Sequence, residues 1–221
     1  MTFKISLIIS LFFFISCASH PKKSAVSIST ASEGLVKDHA LSFPLYLTQK
    51  LEETSKIRQE HGDKTYIVHT GHLLKPNFSK EENEKLLSSL SELKIDAYNL
   101  TLEDFVIANN QDISFENYPL KFINASVVNL NEDSIITKAN ISPFIVNEGV
   151  ALIGLSDNKI NDSLNMEQFL VSDYVLAVLK ARKIASKLKN IQSLVIVHTI
   201  GSEIDNVIDR LPPNFLNSLT D

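Results

Sequence analysis

Two histidines and three acidic residues lie where the sequence pattern predicts that strands end. His72 and His198 each follow a short apolar run, and Glu33, Glu103 and Asp104 occupy comparable positions. Imidazole and carboxylate groups are ligands of zinc, so Glu33, His72 and His198 could together hold one divalent ion. Glu103 or Asp104 could then serve as a general base. We expect instead that both histidines are structural, because three ligands from three separate motifs would have to converge, and we keep the ion site as the alternative.

Composition excludes several other chemistries. The chain of 221 residues has one cysteine, Cys17, which excludes cysteine nucleophiles and Cys-type zinc sites from the rest of the sequence. No Gly-x-Ser-x-Gly elbow is present, which disfavours an esterase of that type. A net charge of −5 argues against nucleic-acid binding, because neutralising phosphates requires a basic surface. With 44% hydrophobic residues, the chain can bury the core of one domain.

The N-terminal residues predict an export signal. Lys4 precedes an apolar run over residues 5–15, which is too short to span a bilayer as a helix. Ser16 followed by Cys17 resembles a bacterial lipobox, which implies cleavage before Cys17 and acylation of its thiol. Phe14 departs from the leucine that is usual three residues before the cysteine. An ordinary secretory signal with an incidental cysteine is the alternative.

This signal divides the chain into three predicted parts. Residues 1–16 form a lipoprotein signal peptide, residues 17–24 a tether, and residues 25–221 a single domain. We therefore expect a protein of the bacterial cell envelope whose partner is the membrane, reached through a lipid on Cys17, with no nucleic-acid partner.

Apolar runs that alternate with helical stretches predict the α/β class, with mixed, largely parallel sheets flanked by helices. Ser79 and Glu82 are spaced as a capping box, and a turn at 147–149 predicts a hairpin. The longest predicted helix has a buried stripe that includes Leu170 and Ala177. In such sheets, sites form at the carboxyl ends of the strands. The predicted strands are 25–29, 65–69, 96–100, 120–125, 144–146, 150–155 and 193–198, and the predicted helices are 44–60, 79–94, 166–189 and 202–211.

Three segments in or next to the predicted strands resemble, in sequence and in order, the segments of a known protein family. Residues 69–74 read His-Thr-Gly-His-Leu-Leu, residues 151–155 read Ala-Leu-Ile-Gly-Leu, and residues 195–198 read Val-Ile-Val-His. This series resembles the calcineurin-like metallophosphoesterases, in particular the 5′-nucleotidase branch. In that family the segment that corresponds to residues 69–74 reads Asp-Ala-Gly-Asp-Leu-Leu, and the one that corresponds to residues 151–155 reads Val-Gly-Ile-Gly-Leu. The resemblance covers most of residues 25–221. It implies an αββα sandwich with a two-metal phosphoesterase site.

The first metal-binding motifs of that family are altered in this sequence. The family's first aspartate falls on Ala31 and the histidine two positions later falls on Glu33. The aspartate that bridges the two metal ions falls on His72. An alanine side chain cannot ligate a metal, and an imidazole cannot bridge two ions as a carboxylate does.

The later motifs are altered as well. The asparagine ligand falls on Leu102 and the catalytic histidine on Glu103, which is followed by Asp104. His198 alone matches its motif unchanged. The final Gly-His-x-His motif does not occur before Asp221, so we expect a C-terminally shortened version of the fold.

These substitutions predict a degenerate, catalytically inactive phosphoesterase domain that acts in binding or in another envelope role. The expected cofactor is none, with one divalent metal as the alternative. A residual mononuclear phosphoesterase using Glu33, His72 and His198 is the second hypothesis. The third is a structural α/β lipoprotein unrelated to the family.

Overall fold

The fold is described from a computed structural model of the chain. It describes residues 13–15, 26–28, five positions between 52 and 60, and residues 66–212 except 94, 133, 148, 159–166, 188–190, 192 and 202. Among these residues, no helix has the length and apolar character needed to cross a membrane. The strands are β1 (Phe13–Ile15), β2 (Val26–Ile28), β3 (Val68–His69), β4 (Ala97–Asn99), β5 (Phe122–Ile123), β6 (Val127–Asn129), β7 (Ser134–Ile135), β8 (Ile141–Ser142), β9 (Phe144–Asn147), β10 (Val150–Leu155), β11 (Phe169–Val171) and β12 (Ser193–His198). The helices are α1 (Lys80–Leu90), α2 (Leu102–Asn110), α3 (Tyr174–Ala185) and α4 (Glu203–Arg210), with a short 3₁₀ turn at Phe115–Asn117.

Two sheets carry the body of the fold. The first has the order β3-β4-β5-β8 with every pair parallel. The second has the order β12-β10-β9, in which β10 and β12 are parallel while β9 and β10 form an antiparallel hairpin. A third, antiparallel sheet joins β11, β6 and β7. The predicted mixed, largely parallel α/β class is therefore confirmed.

The buried residues show that the two main sheets pack face to face between two layers of helices. Val68 of β3 and Ile123 of β5 contact a cluster that includes Leu152 of β10 and Val197 of β12. The outer face of the first sheet packs on α1 and α2, and that of the second packs on α3 and α4. Each sheet thus buries both faces, which gives the αββα sandwich predicted by the resemblance.

Local signals in the sequence predict several element boundaries correctly. The Ser79 hydroxyl accepts a hydrogen bond from the Glu82 N–H at 3.2 Å, and the Glu82 carboxylate accepts from the Ser79 N–H at 2.8 Å. This reciprocal capping box starts α1 one residue after Ser79, as predicted. The hairpin is also confirmed, with Gly149 at φ 85 in its turn. Within the predicted helix 44–60, the five described positions are helical.

The predicted helix 166–189 is wrong in its first third. Phe169–Val171 is strand β11, paired antiparallel with β6, and the helix begins only at Tyr174, after the N-cap Asp173. Leu170, predicted to be buried in the helix stripe, is 39% exposed on that strand. Apolar residues on all sides of the sequence segment fit a strand as well as a buried helix, and pairing with β6 decides the outcome.

The predicted strand at 25–29 forms in part, but outside the main sheets. Val26–Ile28 pairs antiparallel with Phe13–Ile15 in a sheet of two strands. Among the described residues, β3 is therefore the edge of the first sheet.

Candidate functional site

The loops that follow four strands meet at the carboxyl edge of the two main sheets. A Cβ atom on Gly71, after β3, would lie 2.5 Å from the Thr101 methyl group after β4, and 3.0 Å from that of Thr199 after β12. The N–H of Asp157, two residues beyond β10, donates to the Thr199 hydroxyl at 2.9 Å. This is the position at which open α/β sheets place their sites.

His72 lies at the centre of this edge, between two carboxylates. Its Nδ1 is 3.2 Å from Glu103 Oε2 and its Nε2 is 3.9 Å from Asp157 Oδ2. The Asp157 side chain is only 7% exposed, and those of His72 and Glu103 are 22% and 17% exposed. The backbone of His72 is left-handed, with φ 56, a conformation that is uncommon for residues other than glycine. Both ring nitrogens of His72 therefore face acidic groups.

The surroundings of His72 favour its charged form. The hydrogen bond with Glu103 raises the pKa of His72 above its ordinary value, and the negative charges of Asp104 and Asp157 act in the same direction. Burial opposes this shift by penalising the imidazolium. The ring thus holds its second proton to a higher pH than a free imidazole does.

Asp104 has a structural role and is not placed to act as a base. Its Oδ1 accepts from the Leu74 N–H at 2.8 Å, and its Oδ2 accepts from the N–H and the hydroxyl of Thr101, each at 2.8 Å. The side chain is fully buried, and burial raises the pKa of its carboxyl while the two N–H bonds act against the shift. Asp104 therefore attaches the loop that contains His72 to the N-terminus of α2.

His198 is the last residue of β12 and lies at the same edge, but its ring is on the face of the second sheet that packs on α3 and α4. Leu194 and Ile196 of β12 pack toward α3 and α4, and strand alternation puts His198 on that same side. Burial lowers the pKa of His198, while the negative charge of Asp205 in α4 opposes the shift. Its buried Nδ1 has no hydrogen-bond partner among the described residues.

The structure brings some of the sequence-predicted site residues together and separates others. His72, Glu103 and Asp104 come together, whereas His198 lies toward the helices. Glu33, Ala31 and Cys17 lie outside the described residues. Within the part of the chain that is described, no group of three or more His, Cys, Asp or Glu side chains is arranged to hold a metal ion.

Sequence reasoning missed Asp157 and its neighbour Ser156. The Ser156 hydroxyl accepts from the Leu102 N–H at 2.6 Å and so joins β10 to the start of α2. Both residues directly follow the apolar strand β10. The carboxyl-end rule that singled out His72 could have found them.

Comparison with known proteins places this geometry in a known fold. No protein family model and no curated protein match the sequence. A solved structure of the calcineurin-like phosphoesterase YfkN from Bacillus subtilis matches with a TM-score of 0.53 at 17% identity, over 69% of this chain and 53% of that one. The chain has the calcineurin-like phosphoesterase fold.

Two further solved structures match the calcineurin-like fold of this chain. One is the sulfate thiohydrolase SoxB from Thermus thermophilus, with a TM-score of 0.58, 11% identity and coverage of 75% of this chain and 31% of that one. The other is the NAD nucleotidase NadN from Haemophilus influenzae, with a TM-score of 0.53, 13% identity and coverage of 73% and 30%. The chain therefore spans about a third to a half of the length of these structures. The two packed sheets argue against an α/β lipoprotein unrelated in fold.

The residues of this calcineurin-like edge do not fit a two-metal centre. The family resemblance puts the bridging carboxylate at position 72, where an imidazole faces Glu103 and Asp157. It puts an asparagine ligand at Leu102, which is 1% exposed in the apolar core beside α1 and α2. Neither side chain can supply the oxygen ligands that clamp a pair of ions.

Proposed function

We propose that this protein is a catalytically inactive member of the calcineurin-like fold that acts by binding, held at the bacterial cell envelope by a lipid on Cys17. The observation that carries the inactive assignment is the position of the His72 ring, 3.2 Å from Glu103 and 3.9 Å from Asp157. The family resemblance assigns the bridging carboxylate to position 72.

The tendency of His72 to keep its second proton argues against a metal pair. A bridging carboxylate brings negative charge between two cations, whereas a proton-bearing imidazole brings positive charge to the same place. To offer a lone pair to a metal, the ring must lose its proton and turn away from Glu103 or Asp157. The raised pKa of His72 opposes the first step, and the contacts with Glu103 and Asp157 oppose the second.

A mononuclear site on Glu33, His72 and His198 is the competing function. It requires His72 to exchange its carboxylate partners for a metal, and His198 to turn from the side of α3 and α4. The first change removes the contacts of His72 with Glu103 and Asp157, and the second moves His198 off the face of β12 that strand alternation gives it, so we favour the inactive protein.

Phosphatase assays and elemental analysis test this proposal together. With added manganese, cobalt or zinc, we expect hydrolysis of chromogenic phosphate monoesters and diesters to equal that of the His198→Ala variant. Protein purified from metal-supplemented growth should hold less than about 0.1 equivalent of any transition metal, because a built metal site retains its ion. Turnover that His198→Ala abolishes, or one bound ion per chain, contradicts the proposal.

The envelope anchor rests on the N-terminal sequence and has its own test. We expect cells fed a labelled fatty acid to label the protein, and Cys17→Ser to abolish the label and release the protein from the membrane fraction. A matched control combines Cys17→Ser with Ser19→Cys, which keeps one thiol but moves it two residues beyond the lipobox. This control should also be unlabelled, and its labelling would contradict lipobox recognition.

A further inference from the structure

The outer surface of α3 is strongly basic in a protein of negative net charge. Lys180, Arg182 and Lys183 lie within the helix and Lys187 lies just beyond its end. No acidic residue occurs in Tyr174–Ala185, although the whole chain has a net charge of −5. This helix and the residues just after it therefore carry four of the chain's 21 basic residues, and the helix itself has no acidic residue.

The exposed face of α3 combines three lysines with two apolar side chains. Helical spacing groups Leu176, Lys180, Lys183, Ile184 and Lys187 on the side opposite the core, and all five are exposed. Leu176 is 47% and Ile184 is 49% exposed. We call these five residues the α3 face. The buried side of the helix contains Val175, Ala177, Val178, Ala181 and Ala185.

The lysines of the α3 face are not neutralised by the described part of the protein. No ion pair within 4.0 Å joins Lys180, Lys183 or Lys187 to a described acidic group. Asp173 at the N-terminus of α3 is held by Arg210 at 2.9 Å. The neighbouring α4 presents exposed Asp205 and Asp209, but neither pairs with these lysines.

We propose that the α3 face binds an anionic lipid surface. Lysine ammonium groups are attracted to anionic headgroups, while their alkyl stems and the side chains of Leu176 and Ile184 enter the interface. The two apolar residues are eight positions apart, about 12 Å along the helix, with the lysines around and between them. Such a surface docks the domain flat on a membrane, whether or not Cys17 is acylated.

A protein partner fits the α3 face less well. The centres of protein interfaces are depleted of lysine and enriched in aromatic residues, whereas this face has three lysines and no aromatic residue. A standard interface also needs roughly 800 Å² from each partner, which exceeds what one helix face about 16 Å long can offer. The mixture of isolated apolar tips and lysines is typical of membrane-surface helices.

Vesicle sedimentation with the full chain tests the proposal. We expect tighter binding to phosphatidylglycerol-containing vesicles than to pure phosphatidylcholine, and weakening with salt. Replacing Lys180, Lys183 and Lys187 together by Gln should lower the affinity for the anionic vesicles about 100-fold, and Leu176→Ser with Ile184→Ser should lower it about 10-fold.

The matched control replaces three exposed lysines elsewhere, Lys85, Lys121 and Lys138, by Gln. It has the same net charge and the same N-terminal apolar run as the α3 variant, so the difference between the two isolates the α3 face. Equal loss in both variants, or no preference for anionic vesicles, overturns the proposal. Binding to soluble polyglutamate with the same affinity as to anionic vesicles also overturns it, since it would show charge attraction without an interface.

Discussion

Replacing Asp104 by alanine is expected to destabilise the protein by about 4 kcal/mol, because each buried donor that is left without an acceptor costs about 1–3 kcal/mol. The substitution leaves the Leu74 N–H, the Thr101 N–H and the Thr101 hydroxyl without their acceptor in a site from which water is excluded. Two of these donors belong to the backbone, so no second substitution can remove them. Urea unfolding measures the loss as a lower midpoint at unchanged slope.

Glu82→Ala provides the matched control, because Glu82 occupies the same capping-box position in α1 as Asp104 does in α2. Glu82 is exposed and water can replace its bond to the Ser79 N–H, so we expect a cost of about 1 kcal/mol or less. Equal costs for the two variants would contradict the assigned role of burial. Asp104→Asn should fall between them, because its amide keeps one acceptor oxygen but meets the remaining donors with an N–H group.

Elements set by local sequence were predictable in this chain. The capping box at Ser79 and Glu82 needs only residues three positions apart, and the hairpin at β9 and β10 needs only a turn between two apolar runs. The strand β12 is a short apolar run whose length favours a strand over a helix. For these elements the local preference and the tertiary structure agree.

Elements set by distant pairing were not predictable. In the sequence, Phe169, Leu170 and Val171 are all apolar, so no alternation of apolar and polar residues marks a strand there. The alternation is visible only in the structure, where Phe169 is buried and Leu170 is 39% exposed. Pairing with β6, some 40 residues earlier in the chain, decides the conformation. The helix α2 is not among the predicted helices, because its first turn directly follows a strand and has the sequence of a strand end.

The candidate site was predictable in its location and not in its contacts. The carboxyl-end rule singled out His72 and Glu103, which are 31 residues apart and in contact. The third member, Asp157, also follows a strand end, but its contact with His72 depends on the packing of β10 on β4, which no local pattern encodes. His198 lies at the expected strand end, yet strand alternation turns it toward α4.

Gly154→Ala is expected to destabilise the protein by about 3 kcal/mol through overpacking between the two main sheets. A Cβ atom there would lie 2.5 Å from Asn99 Oδ1 and 2.7 Å from the Ile123 carbonyl oxygen. Asn99 cannot move freely, because its Nδ2 donates to the carbonyls of Thr70 and Leu155, each at 2.8 Å. The added methyl group must push the sheets apart or break these bonds at the edge that carries His72. Thermal unfolding should show a melting temperature lower by about 10 °C.

Gly201→Ala separates this steric effect from the general cost of replacing a glycine. Gly201 has φ +60, and a Cβ atom added to it would have no neighbouring atom within 4 Å, so its substitution costs only the left-handed backbone strain, about 1 kcal/mol. Gly154 is not in the left-handed region, so its larger cost must come from the contact between β10 and the first sheet. If both variants melt at the same temperature, the sheets yield easily at this point. Rigid packing of β10 on β4 and β5 could then no longer explain how Asp157 is held beside His72.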